Sequence, residues 1–248
     1  MSKTIVYLAG IICGLSCSVT SAAEWAYKET KGPEKWADLA PEYSICGSGK
    51  NQSPINIDTK KAINIEAAGI KFNYGLTLPE TITNTGNLIQ VNTRGWAKLN
   101  VDDIEFKLQH LEFHIPSEHT IDGKHFPMEI QFIHESEGGQ TAIVSRMAIP
   151  GRPDRALRKL FEKLPMQAGE TEKLSGNALR NIEMKMKVSN YFYYNGSMTT
   201  PPCSEGVRWY LMKAPMTFSK EQYNQLKSAV EQDNNRPVQT LNARMILE

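Results

Sequence analysis

An excess of charge of either sign is missing from this chain. Its 248 residues sum to a formal +1, so no broad field draws it to nucleic acid or an anionic membrane surface, and neither is expected as a partner. Repeats, low-complexity tracts and Pro- or Gly-rich linkers are also missing from Glu24 onward, which leaves a single domain over 24–248 as the economical reading. Apolar residues at 40% and charged residues at 22% exclude disorder on composition and supply enough apolar surface for a large core.

A run long enough to span a bilayer is lacking as well. Met1-Ser2-Lys3, the apolar stretch Ile5 to Val19 and the small-residue exit Thr20-Ser21-Ala22-Ala23 have the layout of a secretory signal peptide over 1–23, cleaved after Ala23. An anchoring helix is the alternative, but the run falls short of the roughly 20 residues such a span requires. Gly14 stands where a lipidated Cys17 would need an aliphatic residue, so no lipid anchor is expected. The mature protein is therefore predicted to be periplasmic or secreted.

Cysteine is scarce. Of four in the chain, Cys13 and Cys17 leave with the leader, and Cys46 and Cys203 remain. In an oxidising compartment those two are expected to pair, two free buried thiols being the alternative.

Short β-rich segments bounded by turn residues recur at Ile82 to Val91, Ala97 to Val101, Ile104 to Ile115, Met128 to His134, Thr141 to Ile149, Met184 to Tyr193 and Val207 to Met212. Helical patterning is confined to Arg155 to Leu164 and to Lys220 to Gln232, with Ser219 as N-cap. The expected fold is mostly β, a large and mainly antiparallel sheet with short peripheral helices.

In the strand over Ile104 to Ile115, the two-residue period places His110, Glu112 and His114 on one face and Gln109, Leu111 and Phe113 on the other. Asp122-Gly123 marks a turn, after which a returning strand shows Glu129, Gln131 and Ile133 on one face. Glu112, His114 and Gln131 then meet in one cleft. His110 and His114 stand about 13 Å apart along an extended strand, too far for one zinc, whose ligands lie ~2 Å from it.

The chain resembles the α-carbonic anhydrases over nearly all of 24–248. The resemblance is carried, in the family's order, by Trp25-Ala-Tyr, Gly32-Pro-Glu-Lys-Trp-Ala-Asp-Leu, Cys46 with Gln52-Ser-Pro-Ile-Asn-Ile57, Asn84-Thr-Gly, Phe113-His-Ile-Pro-Ser-Glu-His-Thr-Ile-Asp-Gly-Lys-His-Phe-Pro-Met-Glu129, Gly196-Ser-Met-Thr-Thr-Pro-Pro-Cys-Ser-Glu-Gly-Val-Arg-Trp209 and Arg236-Pro-Val-Gln-Thr-Leu-Asn-Ala-Arg244. It implies a twisted sheet of about ten strands, a zinc at the foot of a cleft, and reversible hydration of carbon dioxide to bicarbonate.

In that family three histidines hold the zinc, and here those positions read Glu112, His114 and Gln131. Three neutral imidazoles leave the metal's charge uncompensated, which lowers the pKa of bound water to about 7. A carboxylate at 112 donates negative charge and an amide oxygen at 131 is a poor zinc ligand, so metal affinity and the hydroxide nucleophile both suffer. Thr199 and Glu118 match the pair that orients the hydroxide. Glu129 matches the partner of the third histidine, Asn242 a further outer residue, and His110 replaces a supporting glutamine. Asn87 occupies the proton-shuttle position, where an amide carries no proton at neutral pH; His119, His125 or buffer would have to substitute.

Ile133, Ile143, Met198, Val207 and Trp209 match the apolar pocket for carbon dioxide, and ordinary core packing explains them nearly as well. A protonated His110 would relieve the repulsion between Glu112 and the carboxylates Glu118 and Glu129. His119 and His134 are read as structural, and Ser53-Pro54 and Pro201-Pro202 as candidate cis bonds.

Two expectations follow. The first is an exported carbonic-anhydrase-related protein with weak or absent hydratase activity, little or no zinc, and a cleft kept for a ligand or protein of unknown identity. The second is a slow zinc enzyme with Glu112, His114 and Gln131 as ligands and carbon dioxide and bicarbonate as its small molecules.

Overall fold

The computed structural model describes residues 23–65, 70–74, 77–95, 97–175, 190–230 and 232–248. The leader expected over 1–23 lies outside the described residues except for Ala23, and so does most of the strand expected over Met184 to Tyr193.

The elements in chain order are α1 (Trp36–Leu39), α2 (Ile45–Ser48), β1 (Asn56–Ile57), β2 (Lys71–Asn73), β3 (Thr77–Asn84), β4 (Ile89–Gly95), β5 (Lys98–Val101), β6 (Ile104–His114), β7 (Thr120–Ile121), β8 (Lys124–His125), β9 (Met128–Ser136), β10 (Thr141–Pro150), α3 (Arg155–Phe161), β11 (Thr171–Lys173), β12 (Tyr191–Ser197), β13 (Glu205–Phe218) and α4 (Lys220–Ala229). Ten strands form one sheet in the order β11-β3-β4-β6-β9-β10-β13-β12, with β5 on β6 and β2 on β5. Its described pairs are antiparallel except β10 with β13. A separate three-stranded sheet joins β1, β7 and β8.

The centre of the large sheet is covered on both faces, so β9 is buried at every position but Glu135, the pattern of a doubly covered strand. Ile130 and Phe132 face a cluster with Leu111, Phe113 and Val144 that α3 and α4 complete through Leu157, Leu160, Phe161 and Leu226. Each such side chain contributes roughly 1.5–3 kcal/mol by leaving water. On the opposite face Ile133 joins Ile143, Tyr194, Val207, Trp209 and Leu211, and this side carries the cleft.

The two longer helices are tied together at their starts. Asp154 caps α3 by accepting from Ala156 N and Leu157 N at 2.7 and 3.1 Å. Ser219 caps α4 in a reciprocal box with Gln222. Gln222 also donates to the Asp154 carbonyl at 2.7 Å. Both helices end earlier than the sequence pattern predicts, at Phe161 and Ala229; Pro165 lies just beyond the first, and beyond the second the chain turns to carry Asn234 and Arg236 into the cleft wall.

The strand expected over Ile82 to Val91 is in fact two. β3 stops at Asn84, whose Oδ1 accepts from Gly86 N at 2.9 Å, while the Thr85 hydroxyl accepts from Leu88 N at 3.0 Å. Local side-chain-to-backbone bonds of this kind compete with the strand ladder, and Gly86 at φ +88° makes the turn a glycine position. In β6 a register shift between Leu108 and His110 inserts an extra residue. Leu108 therefore joins Leu111 and Phe113 in the core and Gln109 is exposed, which corrects the strict alternation expected for Gln109.

Cys46 and Cys203 are bonded at an S–S distance of 2.05 Å, 157 residues apart in sequence. Ser53-Pro54 and Pro201-Pro202 are cis, as is Ile115-Pro116.

Candidate functional site

The antiparallel register of β6 and β9 pairs Glu112 with Gln131 and His114 with Glu129. These four side chains come together on the cleft face and all are buried. Past His114 the chain leaves the sheet and folds back, so Glu118 N and His119 N both donate to Glu129 Oε2 at 2.9 Å.

Glu129 is the anchor of this fold-back. Its Oε1 accepts from His119 Nδ1 at 2.9 Å, Gln131 Nε2 at 3.1 Å and Ser145 Oγ at 2.7 Å. Burial raises its pKa, but the neighbouring His119, the hydrogen bonds from His119 and Ser145, and His114 outweigh burial and hold it at about 2. His119 in turn accepts at Nε2 from the Tyr194 hydroxyl at 2.6 Å, and Tyr194 meets Ser53 Oγ at 2.8 Å. His119 is thus a completely buried framework residue, as expected.

The floor of the cleft holds Glu118. Gln131 Nε2 donates to its Oε2 at 2.8 Å, and Arg236 N donates to its Oε1 at 3.0 Å. The Thr199 hydroxyl acts on the same carboxylate, lowering its pKa. Burial raises the Glu118 pKa; Glu129 adds to this while His114, Arg236 N and Thr199 oppose it.

His114 donates from Nδ1 to the Asn234 carbonyl at 2.8 Å. Its Nε2 is buried with no hydrogen-bond partner, 3.6 Å from Glu118 Oε2 and 4.0 Å from Glu112 Oε2. Burial disfavours the imidazolium, yet those two carboxylates, the Asn234 carbonyl and Glu129 together raise the His114 pKa. Glu112 accepts from His110 Nε2 at 3.1 Å. Burial alone would raise the Glu112 pKa, and the His110 hydrogen bond and charge, with His114, bring it below the usual carboxylate value. The Tyr27 hydroxyl is also buried and unpaired, and after burial itself Glu118 and Glu112 contribute most to pushing its pKa well up.

The remaining predicted residues scatter. Ile133, Ile143, Val207 and Trp209 pack in one buried cluster with Met198 against it. Asn87 donates to the Trp25 carbonyl at 2.8 Å. Asn242 is exposed and donates to the Lys50 carbonyl at 2.7 Å; Asn234, which sequence reasoning missed, is the asparagine in contact with His114. His125 donates to Ser117 O at 2.7 Å. His134 lies on the far side, bonded to Tyr74 and Ala142. Ser145 and Arg236 were missed too. Ser145 carried no local signal, and Arg236 stood only as the first residue of the family-like segment Arg236 to Arg244.

As a metal site the donor set is poor. His114 offers a free ring nitrogen, whereas Gln131 points its amide nitrogen at two carboxylates and Glu112 is engaged by His110. Among the described residues no group of three or more His, Cys, Asp and Glu is placed to hold a metal ion. The residues present do not fit a tetrahedral zinc of the three-histidine kind.

The sequence pattern of the eukaryotic-type carbonic anhydrases matches residues 31–248. A carbonic anhydrase of Pectobacterium carotovorum is 36% identical over 246 residues, covering 99% of this chain and 98% of that protein. The α-carbonic anhydrase of Thermovibrio ammonificans, solved with the inhibitor sulfanilamide, superposes with a TM-score of 0.85 at 37% identity, covering 92% of this chain and all of that one. Dioscorin solved in complex with ascorbate gives 0.82 at 32% identity, over 90% and 97% of the two chains. With the family's pattern running from Lys31 to the last residue and the same sheet beneath it, the chain belongs to the α-carbonic anhydrase family.

Proposed function

We propose that this is an exported α-carbonic anhydrase relative in which hydration of carbon dioxide, the family reaction, is weak or absent. One observation carries the reading: of the side chains at 112, 114 and 131, only His114 presents a ring nitrogen, its Nε2, with no hydrogen-bond partner. Zinc in this family supplies the Lewis acid that turns water into hydroxide near neutral pH. A cleft with one imidazole, a carboxylate paired to His110 and an amide turned to other carboxylates lacks the neutral three-nitrogen set that this chemistry needs.

The parts that handle substrate in the family remain recognisable. Thr199 and Glu118 form the hydroxyl–carboxylate pair that would orient an attacking oxygen, and the apolar wall from Ile133 to Trp209 would receive carbon dioxide. Asn87 would not move a proton out. We assign residues 1–23 to a removable leader and 24–248 to the mature domain, a reading supported by the Cys46–Cys203 bond, which suits an oxidising compartment. No helix of the described residues is long and apolar enough to cross a membrane.

A slow zinc enzyme is the second reading, favoured by the buried, unpartnered His114 Nε2 that faces Glu112 and Glu118. Metal content after purification with zinc, followed by stopped-flow hydration of carbon dioxide, separates the two. Substoichiometric zinc and a rate at the buffer background are expected; one zinc per chain with brisk turnover would overturn the first reading.

A further inference from the structure

We infer that Gln131 is a built-in replacement for a metal ion, its amide nitrogen cross-linking Glu118 and Glu129 so that the cleft floor is folded and complete with no cation bound. The inference rests on the reading that this cleft holds no tightly bound zinc, and it explains how a buried acidic floor tolerates that.

Glu118 and Glu129 are both fully buried, and like charges in such a place repel strongly unless something positive or donating lies between them. An amide NH2 carries two hydrogens on one atom. Gln131 Nε2 lies 2.8 Å from Glu118 Oε2 and 3.1 Å from Glu129 Oε1, so each hydrogen serves a different carboxylate. A histidine ring nitrogen carries one hydrogen at most, and at this position it would serve one carboxylate and leave the other to a cation. Glutamine and metal are therefore alternative solutions to one electrostatic problem.

The rest of the network agrees. The other Glu118 oxygen accepts from Arg236 N, and Glu129 takes three further kinds of donor: backbone N–H, the His119 ring and the Ser145 hydroxyl. With Gln131 in place, every oxygen of both carboxylates has a donor.

Thermal unfolding of the full mature chain, disulfide intact, tests this in chelator and in excess zinc. The wild type should melt within about 1 °C of the same temperature in both, since a ligand that does not bind the folded state cannot shift it. Gln131→Leu removes both donors and should lower the midpoint by about 5 to 10 °C, with no recovery in zinc. Gln131→His should fall similarly in chelator and recover in zinc. Gln131→Leu melting like the metal-free wild type would overturn the inference alone, whereas stoichiometric zinc and brisk hydration by the wild type would overturn the functional reading beneath it.

Where a variant does not fold, the wild type decides the matter. In chelator, the two Gln131 side-chain NH2 protons should be resolved by NMR and protected from solvent exchange. Rapid exchange of either proton would overturn the bridge.

Discussion

His114 Nδ1 lies 2.8 Å from the carbonyl oxygen of Asn234, across 120 residues of sequence. The contact fixes the ring: Nδ1 carries a hydrogen, and Nε2 faces Glu112 and Glu118. Asn234 is itself held by its side chain, which accepts from Ile115 N at 2.7 Å and donates to Phe113 O at 2.9 Å.

Asn234→Ala should therefore cost about 2–3 kcal/mol, because two buried backbone groups lose their partners. Chemical denaturation measures the loss, and the 15N shifts of His114 should show a mixed tautomer where the wild type shows one.

Glu112→His combined with Gln131→His should create the three-imidazole set. Zinc should then bind at one per chain, and hydration of carbon dioxide should rise by about a hundredfold or more over the wild type. Assay of bound metal and stopped-flow kinetics check this; zinc binding without turnover would locate a further defect at Asn87 or the apolar wall.

Acid should act through Glu129. Its folded pKa of about 2 is below the ordinary 4.5, so its stabilisation is complete above about 4.5 and is lost as pH falls toward 2, up to roughly 3 kcal/mol. Ser145→Ala removes the 2.7 Å hydrogen bond and should cost about 1.5–3 kcal/mol at pH 7. Its acid-unfolding midpoint should move to higher pH.

His134 should give a second, milder window. Burial lowers its pKa from 6.5 to about 4 despite the bonds to Ala142 and Phe132. The unfolded chain then binds a proton that the folded chain refuses, and stability falls as pH drops from 6.5 to about 4. Melting curves of His134→Gln against wild type should show a flatter dependence over that interval.

Arg236→Lys should destabilise although it keeps the charge. The buried guanidinium donates to Gln52 Oε1, Ser53 O and Cys46 O at 2.9, 2.8 and 2.8 Å, a fork an ammonium cannot reproduce. A loss of about 3 kcal/mol is expected by denaturant titration.

Much of the fold was legible because its signals are local. The α4 cap at Ser219, the Asp122-Gly123 turn and the shared face of His110, Glu112 and His114 each depend on residues within a few positions of one another. The break at Asn84-Thr85-Gly86 was equally local and was missed, since the β-branched residues on either side read as one run. The bulge at Gln109 was not legible, because the partner strand β9 sets it.

The sequence alone determined which groups reach the cleft: two strands of period two, bearing two imidazoles, two carboxylates and an amide, with the Glu118 carboxylate on the fold-back between them, whose chemistry is set by residue type. Tertiary structure decided which atom meets which. That Gln131 spans Glu118 and Glu129, that Asn234 and not Asn242 touches His114, and that Ser145 and Arg236 complete the network are results of packing. Hydrogen bonds between groups more than a hundred residues apart, such as His114 with Asn234 and Glu118 with Arg236, exist only once burial has removed water as the competing partner, and no local pattern records them.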